Sequence, residues 1–179
     1  YKRQKYGDPW SVRHDEETVE VKFNGQTVKA VPYDMPIFGC KTNHISTLRL
    51  WQSEAVNEFD FNLFNQQKYT EASLEKNSAE DISRVLYPND DTREGKKLRL
   101  KQQYFFCSAS LQDITKKHFD RFGSLENISD SITIQLNDTH PVISIPEFIR
   151  ILVNSGMDFE RAFAITKKVF NYTNHTVMP

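Results

Sequence analysis

The most constraining feature of this sequence is a strand pattern that runs directly into a tight turn. Residues 18–23 alternate polar and apolar side chains, which places the apolar ones on one face of a β-strand. Asn24 and Gly25 follow, and both residue types tolerate the positive φ values that a two-residue hairpin turn requires. Residues 27–31 resemble the return strand. We therefore expect an antiparallel hairpin in the first third of the chain.

The remainder of the first third predicts a break and then another strand. Pro32 and Pro36 lack the backbone N–H that a sheet ladder uses, so the segment around them is expected to be irregular or to lie at a sheet edge. Residues 46–51 again have the pattern of a strand. Its side chains divide between two faces, with Leu48 and Leu50 on one and Arg49 and Trp51 on the other.

The middle of the chain is predicted to be helical. Residues 66–76 and 78–86 are rich in helix formers, and Ser78, with an acid three residues later, resembles a capping box. Pro88 and the acidic residues after it end this region. A long helix is expected over about residues 94–118, buried on most sides. Its apolar stripe, at spacings of three and four, is Leu100, Tyr104, Cys107, Leu111 and Ile114.

The last third combines a short strand with two helices. Gly123 interrupts the long helix, and residues 132–136 form a short apolar strand. Helices are expected over residues 145–154 and 159–170, and Asp158 is a suitable N-cap for the second of them.

The order of these elements sets the expected fold class. A strand–helix–strand–helix–helix succession is typical of an α/β layer with a mostly parallel sheet, to which the early hairpin would be an antiparallel attachment. We expect a single fragment over residues 1–179, with mostly strands over 1–52 and helices over 53–179 around one strand at about 132–136. Ligands of open parallel sheets bind beyond the carboxyl ends of strands, so residues 137–141 are the first place to expect a site.

Composition excludes several classes of protein. Thirteen Phe, seven Tyr and two Trp supply apolar surface that disordered chains lack. A net charge of −1 provides no overall field for nucleic acid or anionic lipid, so we expect neither as a partner. No stretch approaches the roughly 18 apolar residues of a membrane span. Cys40 and Cys107 are far apart, and we expect two buried free thiols in a reducing, cytoplasmic compartment.

Few residue patterns carry chemistry on their own. No two histidines have the spacing of metal ligands, and no glycine-rich phosphate loop occurs. No serine or cysteine lies in a sequence motif that is typical of catalytic nucleophiles. We therefore expect no metal site. Asp90 and Asp91 in one loop, and Asn137 and Asp138 in another, are residue types that hydrogen-bond sugar hydroxyls. From these residues alone, a carbohydrate or polar-metabolite site and ordinary turns both remain open.

Five strings are more specific than any of these arguments. They are N-H-I-S-T-L-R-L-W from Asn43, R-V-L-Y-P-N-D from Arg84, G-K-K-L-R-L-K-Q-Q-Y from Gly95, Q-L-N-D-T-H-P-V-I-S-I-P-E from Gln135 and Y-T-N-H-T-V-M-P from Tyr172. Together, and in this order, they closely resemble the α-glucan phosphorylases, the family of glycogen, starch and maltodextrin phosphorylases.

The resemblance implies a fold and a reaction. Members of that family have two lobes of the glycosyltransferase-B type with the active site between them, and this sequence matches the later part of the N-terminal lobe. They cleave a terminal α-1,4-linked glucose with phosphate to give glucose 1-phosphate, and they use pyridoxal phosphate bound to a lysine of the other lobe. The ends of the chain, Tyr1 and Pro179, also suggest a piece of a longer protein.

The resemblance also implies what the segment does within its parent. We expect it to supply the glucosyl-binding side of the cleft, to hold no cofactor itself and to be inactive alone. The parent is expected to be a cytoplasmic homodimer that acts on glucan and phosphate. A non-catalytic carbohydrate-binding module and a purely structural domain are the alternatives.

By resemblance, four residues would contact the sugar. Asp90 and Asp91 lie in the loop that gates the family's cleft, and Asp91 stands where many members have an asparagine. His175 matches the histidine whose side chain and carbonyl lie against the glucose, and it is the expected catalytic residue. Asp138 matches an acid near the glucan end of the cleft, whereas His140 is expected to be structural.

Departures from the animal members of the family bear on regulation and source. Lys116 and Lys117 stand where those enzymes carry an arginine pair for the phosphate of an activating nucleotide, and lysines meet phosphate only as point charges. Thr92 and Arg93 replace two phenylalanines of the gate loop. These differences favour an unregulated bacterial enzyme.

Overall fold

The computed structural model describes residues 10–57 and 59–177. The chain divides into two units, Tyr1–Gln102 and Gln103–Pro179. The longest helix contributes residues to both units, because it spans Arg93–Phe122. Apart from that helix, each unit has its own sheet and its own helices.

The first unit is built on an antiparallel sheet of four strands. In chain order the strands are β1 (Val12–Arg13), β2 (Val19–Phe23), β3 (Gln26–Phe38) and β4 (Ile45–Ala55). The long strand β3 pairs with each of the other three. Gly25, with φ of +84°, lies in the turn between β2 and β3, so the predicted hairpin is confirmed.

The segment around Pro32 and Pro36 is a regular strand, so the expectation of an irregular segment is wrong. The alternative, a sheet edge, agrees with Pro36, because among the described residues β1 pairs with β3 only as far as Asp34. Both prolines lie inside β3, opposite Trp51 and Thr47 of β4. A proline removes one donor, but the β3–β4 ladder runs over eleven residue pairs from Val28 to Phe38. The other residues of this long ladder keep β3 in register past both prolines.

Of the helices in the first unit, the longest begins near the predicted residue, whereas the others begin at residues that the sequence does not predict. The helices of this unit are α1 (Phe61–Asn65), α2 (Tyr69–Ala72), α3 (Leu74–Arg84) and the first part of α4 (Arg93–Phe122). Ser78 is not an N-cap, because it lies in the interior of α3. The helix continues through this residue since its buried face packs on β4, where the N–H of Ser53 donates to the hydroxyl of Ser83 at 2.9 Å.

The second unit surrounds a short parallel pair of strands. After α4 come a 3₁₀ turn (Ile128–Asp130), β5 (Ile134–Asn137), α5 (Ser144–Asn154), α6 (Phe159–Val169) and β6 (Phe170–Thr173). The core cluster consists of Leu111, Ile128, Phe148, Leu152, Ala162, Ile165 and Val169. Asp158 caps α6 as predicted, because its carboxylate accepts the N–H of Arg161 at 3.0 Å.

The expected fold class is confirmed only in part. The structure is mixed α/β, but the mostly parallel sheet is wrong. In the part of the chain that the structure describes, four strands are antiparallel and only β5 and β6 pair in parallel. A two-residue turn permits antiparallel pairing alone, whereas a parallel pair needs a long crossover, which α5 and α6 provide here. The second strand of that pair, β6, falls where the sequence predicts the end of a helix.

Burial along α4 and at the two thiols also differs from expectation. In the stripe along α4, Cys107 and Leu111 are buried, but Leu100 is 57% exposed. Cys107 is thus a buried thiol as expected, whereas Cys40 lies exposed between β3 and β4, where few side chains cover it. Over residues 10–57 and 59–177, no helix is both long and apolar enough to cross a membrane.

Candidate functional site

The carboxyl ends of β5 and β6 meet in the second unit. Asn137 lies opposite Thr173 in the parallel ladder. The N–H of Asp138 donates to the carbonyl of Thr173 at 2.8 Å, which extends the pairing one residue beyond β5. The predicted ligand region, residues 137–141, therefore lies beside the residues that follow β6.

Asp138 is held in a buried and unusual conformation at this edge. Its φ is +66°, a value that aspartate tolerates better than most residues, and it is 7% exposed. Oδ1 accepts the N–H of Thr139 at 2.9 Å and the hydroxyl of Thr176 at 3.3 Å. Nδ1 of His140 lies 3.8 Å from Oδ2. These partners replace water around the carboxylate and fix its position.

His175 reaches the same edge from the chain that follows β6. Its ring is exposed, and Nε2 lies 2.9 Å from Oγ1 of Thr173. The same hydroxyl donates to Oδ1 of Asn137 at 3.1 Å and accepts from Nε2 of Gln135 at 3.0 Å. The structure thus brings Asp138, His140 and His175 together, as three of the residues that the sequence indicated.

A buried carboxylate fixes the start of α5, just after this edge. Glu147 is 3% exposed and accepts from the hydroxyl of Ser108 at 2.6 Å, from Nε and Nη2 of Arg150 at 2.6 and 2.8 Å, and from the hydroxyl of Tyr104 at 3.3 Å. Burial and the negative charge of Glu147 raise the pKa of the Tyr104 hydroxyl. Hydrogen bonding to Glu147 raises the pKa of the Arg150 guanidinium.

Asp90 and Asp91 lie in the first unit, in the loop between α3 and α4. Nη1 of Arg99 donates to Oδ2 of Asp90 at 2.8 Å. The N–H of Asp91 donates to Oδ1 of Asn89, and Nδ2 of Asn89 donates to Oδ2 of Asp91, both at 2.9 Å. Asp91 is exposed, although its Oδ2 already accepts this hydrogen bond from Asn89.

One amide side chain fixes the start of this loop. Gln102 is 2% exposed, and its Oε1 accepts the N–H of Tyr87 at 3.0 Å. Its Nε2 donates to the carbonyls of Ile82 and Val85, at 2.8 and 2.9 Å. Gly95 permits the loop to approach α4, because a Cβ there would lie 2.3 Å from the carbonyl oxygen of Asn89.

Sequence reasoning missed the side chains that hold these residues. Thr173 could have been found, because it stands two residues before His175 and alternate residues of an extended segment share a face. Gln102 and Glu147 had no such signal, since each lies in an ordinary helical sequence. The structure leaves the roles of Asp90, Asp91, Asp138 and His175 as predictions.

A group of possible metal ligands lies elsewhere, in the first unit. Ligand atoms of His14, Glu16 and Glu17 are within 4.8 Å of one another. Arg49 already neutralises Glu17 through a contact of 2.5 Å between Nη1 and Oε2, and it pairs with Asp34 as well. The carboxylate of Glu17 therefore already has a cationic partner within the protein.

The similarity to known proteins extends over the whole chain. A sequence model of the carbohydrate phosphorylase family matches residues 2–179. The brain form of glycogen phosphorylase from Mus musculus is 46% identical over an alignment of 198 residues. The alignment covers 98% of this chain and 24% of that protein. The brain form from Homo sapiens has the same identity and coverage. The muscle form from Bos taurus is 44% identical over the same shares.

The chain spans 24% of the length of these relatives, or about a quarter. The order of the five strings and the match over residues 2–179 agree, so the resemblance seen in the sequence is confirmed. The chain belongs to the carbohydrate phosphorylase family.

Proposed function

We propose that the parent of this chain is an α-glucan phosphorylase. It cleaves a terminal α-1,4-linked glucose from glycogen or maltodextrin with phosphate and gives glucose 1-phosphate. The observation that carries this proposal is the 46% identity to glycogen phosphorylases over 98% of the chain. Within that parent, this segment supplies the glucosyl-binding side of the cleft.

The edge formed by Asp138 and His175 suits a sugar. A neutral imidazole donates or accepts a hydrogen bond, and a carboxylate accepts from hydroxyl groups. The carbonyl of His175 is a fixed dipole that would stabilise positive charge developing on the glucosyl carbon during bond cleavage. Asp138 would accept a hydroxyl of the glucan through its Oδ2, since Oδ1 already has two donors.

The loop that carries Asp90 and Asp91 would also bind a sugar hydroxyl, as the resemblance to the family implies. Asp91 only accepts hydrogen bonds, whereas the asparagine found in many relatives of the family would also donate. A sugar hydroxyl at this position must therefore donate its proton to Asp91. The contacts of Asp91 with Asn89 hold the carboxylate in place for this role.

Pyridoxal phosphate would supply acid–base chemistry to the substrate phosphate in the parent. The described residues of this segment do not fit that cofactor. Burial lowers the pKa of Lys101, as a lysine that forms a Schiff base requires, but its Nζ donates to Oε1 of Gln26 at 2.5 Å. We therefore assign no step of the reaction to a cofactor held by these residues.

The remaining properties of the parent are part of the same proposal. We propose that the parent is a cytoplasmic homodimer. We also propose that no nucleotide activates it, because Lys116 and Lys117 lack the fork of donors with which arginine binds phosphate. The relatives described above are mammalian, and a bacterial source for this chain stays a prediction.

Phosphorolysis by the full-length parent tests the proposal. Wild type, incubated with maltodextrin, phosphate and pyridoxal phosphate, should release glucose 1-phosphate. His175→Ala should lower kcat on the order of 100-fold, because it removes a polar group at the reacting sugar. His44→Ala is the matched control, since His44 is exposed in the β3–β4 loop, and it should retain wild-type activity.

Two outcomes would contradict this proposal in different ways. A folded, cofactor-loaded parent that forms no glucose 1-phosphate would refute the enzyme assignment and favour glucan binding or a structural role. Full activity of His175→Ala would leave the enzyme assignment intact and refute the role of His175.

A further inference from the structure

The hydroxyl of Thr173 lies at the centre of the polar contacts at the end of β5 and β6. Three side chains surround Oγ1: Gln135 through Nε2 at 3.0 Å, Asn137 through Oδ1 at 3.1 Å and His175 through Nε2 at 2.9 Å. Thr173 is opposite Asn137 in the ladder, and Gln135 and Asn137 lie on one face of β5 because they are two residues apart. The backbone pairing therefore sets the contacts of Thr173 with Gln135 and Asn137, and His175 follows β6 two residues later.

The hydrogen-bonding capacity of one hydroxyl determines which atoms donate. A threonine hydroxyl has one proton and two lone pairs. Nε2 of Gln135 occupies one lone pair, and its second donor goes to the carbonyl of Leu136 at 3.3 Å, which fixes the orientation of the amide. Oδ1 of Asn137 is an acceptor and takes the hydroxyl proton. The remaining lone pair faces Nε2 of His175, which must then carry a proton.

We propose that Thr173 is a positioning residue that holds the ring of His175 in the Nε2–H tautomer. The donor chain has a single direction, from Nε2 of His175 and Nε2 of Gln135 to the hydroxyl and from the hydroxyl to Asn137. The hydrogen bond to Thr173 also fixes the angle of the ring, because the strand residue that carries the hydroxyl is itself paired on β5.

The other ring nitrogen then has a defined chemistry toward a ligand. Within the part of the chain that the structure describes, no hydrogen bond is made to Nδ1 of His175, and the ring is exposed. In the Nε2–H tautomer, Nδ1 is an acceptor. If the proposed function holds, a sugar hydroxyl at Nδ1 must donate its proton to the ring. Thr173 would thus select a hydroxyl donor without touching the sugar.

Histidine-selective ¹⁵N NMR of the full-length parent tests the tautomer directly. His175→Ala identifies the His175 signals by their loss. Wild type should show the nitrogen shifts of an Nε2–H imidazole. Thr173→Val keeps the shape of the side chain without the hydroxyl and should give a mixture of tautomers, whereas Thr173→Ser should restore the wild-type shifts. Thr133→Val makes the same chemical change at an exposed residue before β5 and should leave the shifts unchanged.

The same variants give a kinetic readout that depends on the proposed function. Thr173→Val should lower kcat/KM for maltodextrin phosphorolysis about tenfold, the effect of losing one neutral hydrogen bond, and Thr173→Ser should recover most of it. Nδ1–H shifts in wild type, or unchanged shifts in Thr173→Val, would overturn the inference whatever the activity. Absence of product from wild type would refute the proposed function and leave the tautomer assignment standing.

Discussion

The two units use different side-chain chemistry to fix the segments next to their candidate site residues. In the first, the loop before α4 is fixed by Gln102, a neutral amide whose three hydrogen bonds all go to backbone groups. In the second, the start of α5 is fixed by Glu147, a carboxylate whose donors are the side chains of Ser108, Tyr104 and Arg150. Both residues are at most 3% exposed.

We infer from this difference that Gln102 mainly sets the conformation of a loop, whereas Glu147 mainly contributes to the stability of its unit. An amide that satisfies backbone groups fixes the dihedral angles of a loop, as at Tyr87, whose φ is +54°. A buried carboxylate has lost its hydration, so the side chains around it must supply the replacement hydrogen bonds. We therefore expect a change at Glu147 to destabilise its unit more than a change at Gln102, which should mainly release the loop.

The largest effect is expected for Glu147→Ala. The substitution removes an acceptor shared by Ser108 and Tyr104 and separates Arg150 from its partner, at a cost of about 3 kcal/mol. The cost is at the lower end for a buried pair, because the side chain of Arg150 is 50% exposed and regains water. Hydrogen exchange of α5 in the full-length parent measures it. Glu147→Gln keeps the shape and one acceptor oxygen and removes only the charge, so it should cost less than Glu147→Ala but more than about 1 kcal/mol. A cost near zero for Glu147→Gln would refute the role of the charge.

The sequence predicts the elements of the fold better than it predicts their pairing. The hairpin around Gly25, the long helix and the cap at Asp158 were all predicted, because the signal for each is local. Phe170 was predicted to end α6 and no strand was predicted over residues 171–173, because only the pairing with β5 makes residues 170–173 a strand. Ser78 likewise has the local pattern of a cap, but packing of α3 on β4 overrides it.

The candidate site shows the same division. The prediction that residues 137–141 follow a strand end is confirmed, and the structure places His175 beside them. Thr173 could have been found, because its partner His175 is two residues away. Gln102 and Glu147 were missed because each stands in an ordinary helix and has partners far away in sequence. Glu147, for example, is 39 residues from Ser108. No pattern within one segment contains that information.

A smaller and more local effect is expected for Gln102→Met. Methionine keeps the volume but removes the partners of the Tyr87 N–H and of two carbonyls, at a cost of about 2 kcal/mol. Hydrogen exchange and limited proteolysis should change over residues 82–92 and little elsewhere. Gln103→Met is the matched control on α4 and should cost less than about 0.5 kcal/mol. A uniform loss of protection across the first unit would contradict the distinction drawn between the two side chains.

The smallest effects are expected at the helix caps, a device that the two units share. Asp60 accepts the N–H groups of Asn62 and Leu63 at the start of α1, and Asp158 accepts that of Arg161 at the start of α6. Replacing either aspartate with alanine should cost about 1 kcal/mol, whereas asparagine should be nearly neutral, because both aspartate and asparagine are good caps. Hydrogen exchange of α1 and α6 measures both.

Capping involves only neighbouring residues. Similar costs at the two caps would therefore show that the units differ at Gln102 and Glu147 and not in the stability of their helix ends. A cost above about 2 kcal/mol at one cap alone would instead indicate that the units differ in the stability of their helices. The different costs expected for Glu147 and Gln102 variants could then not be attributed to those two side chains.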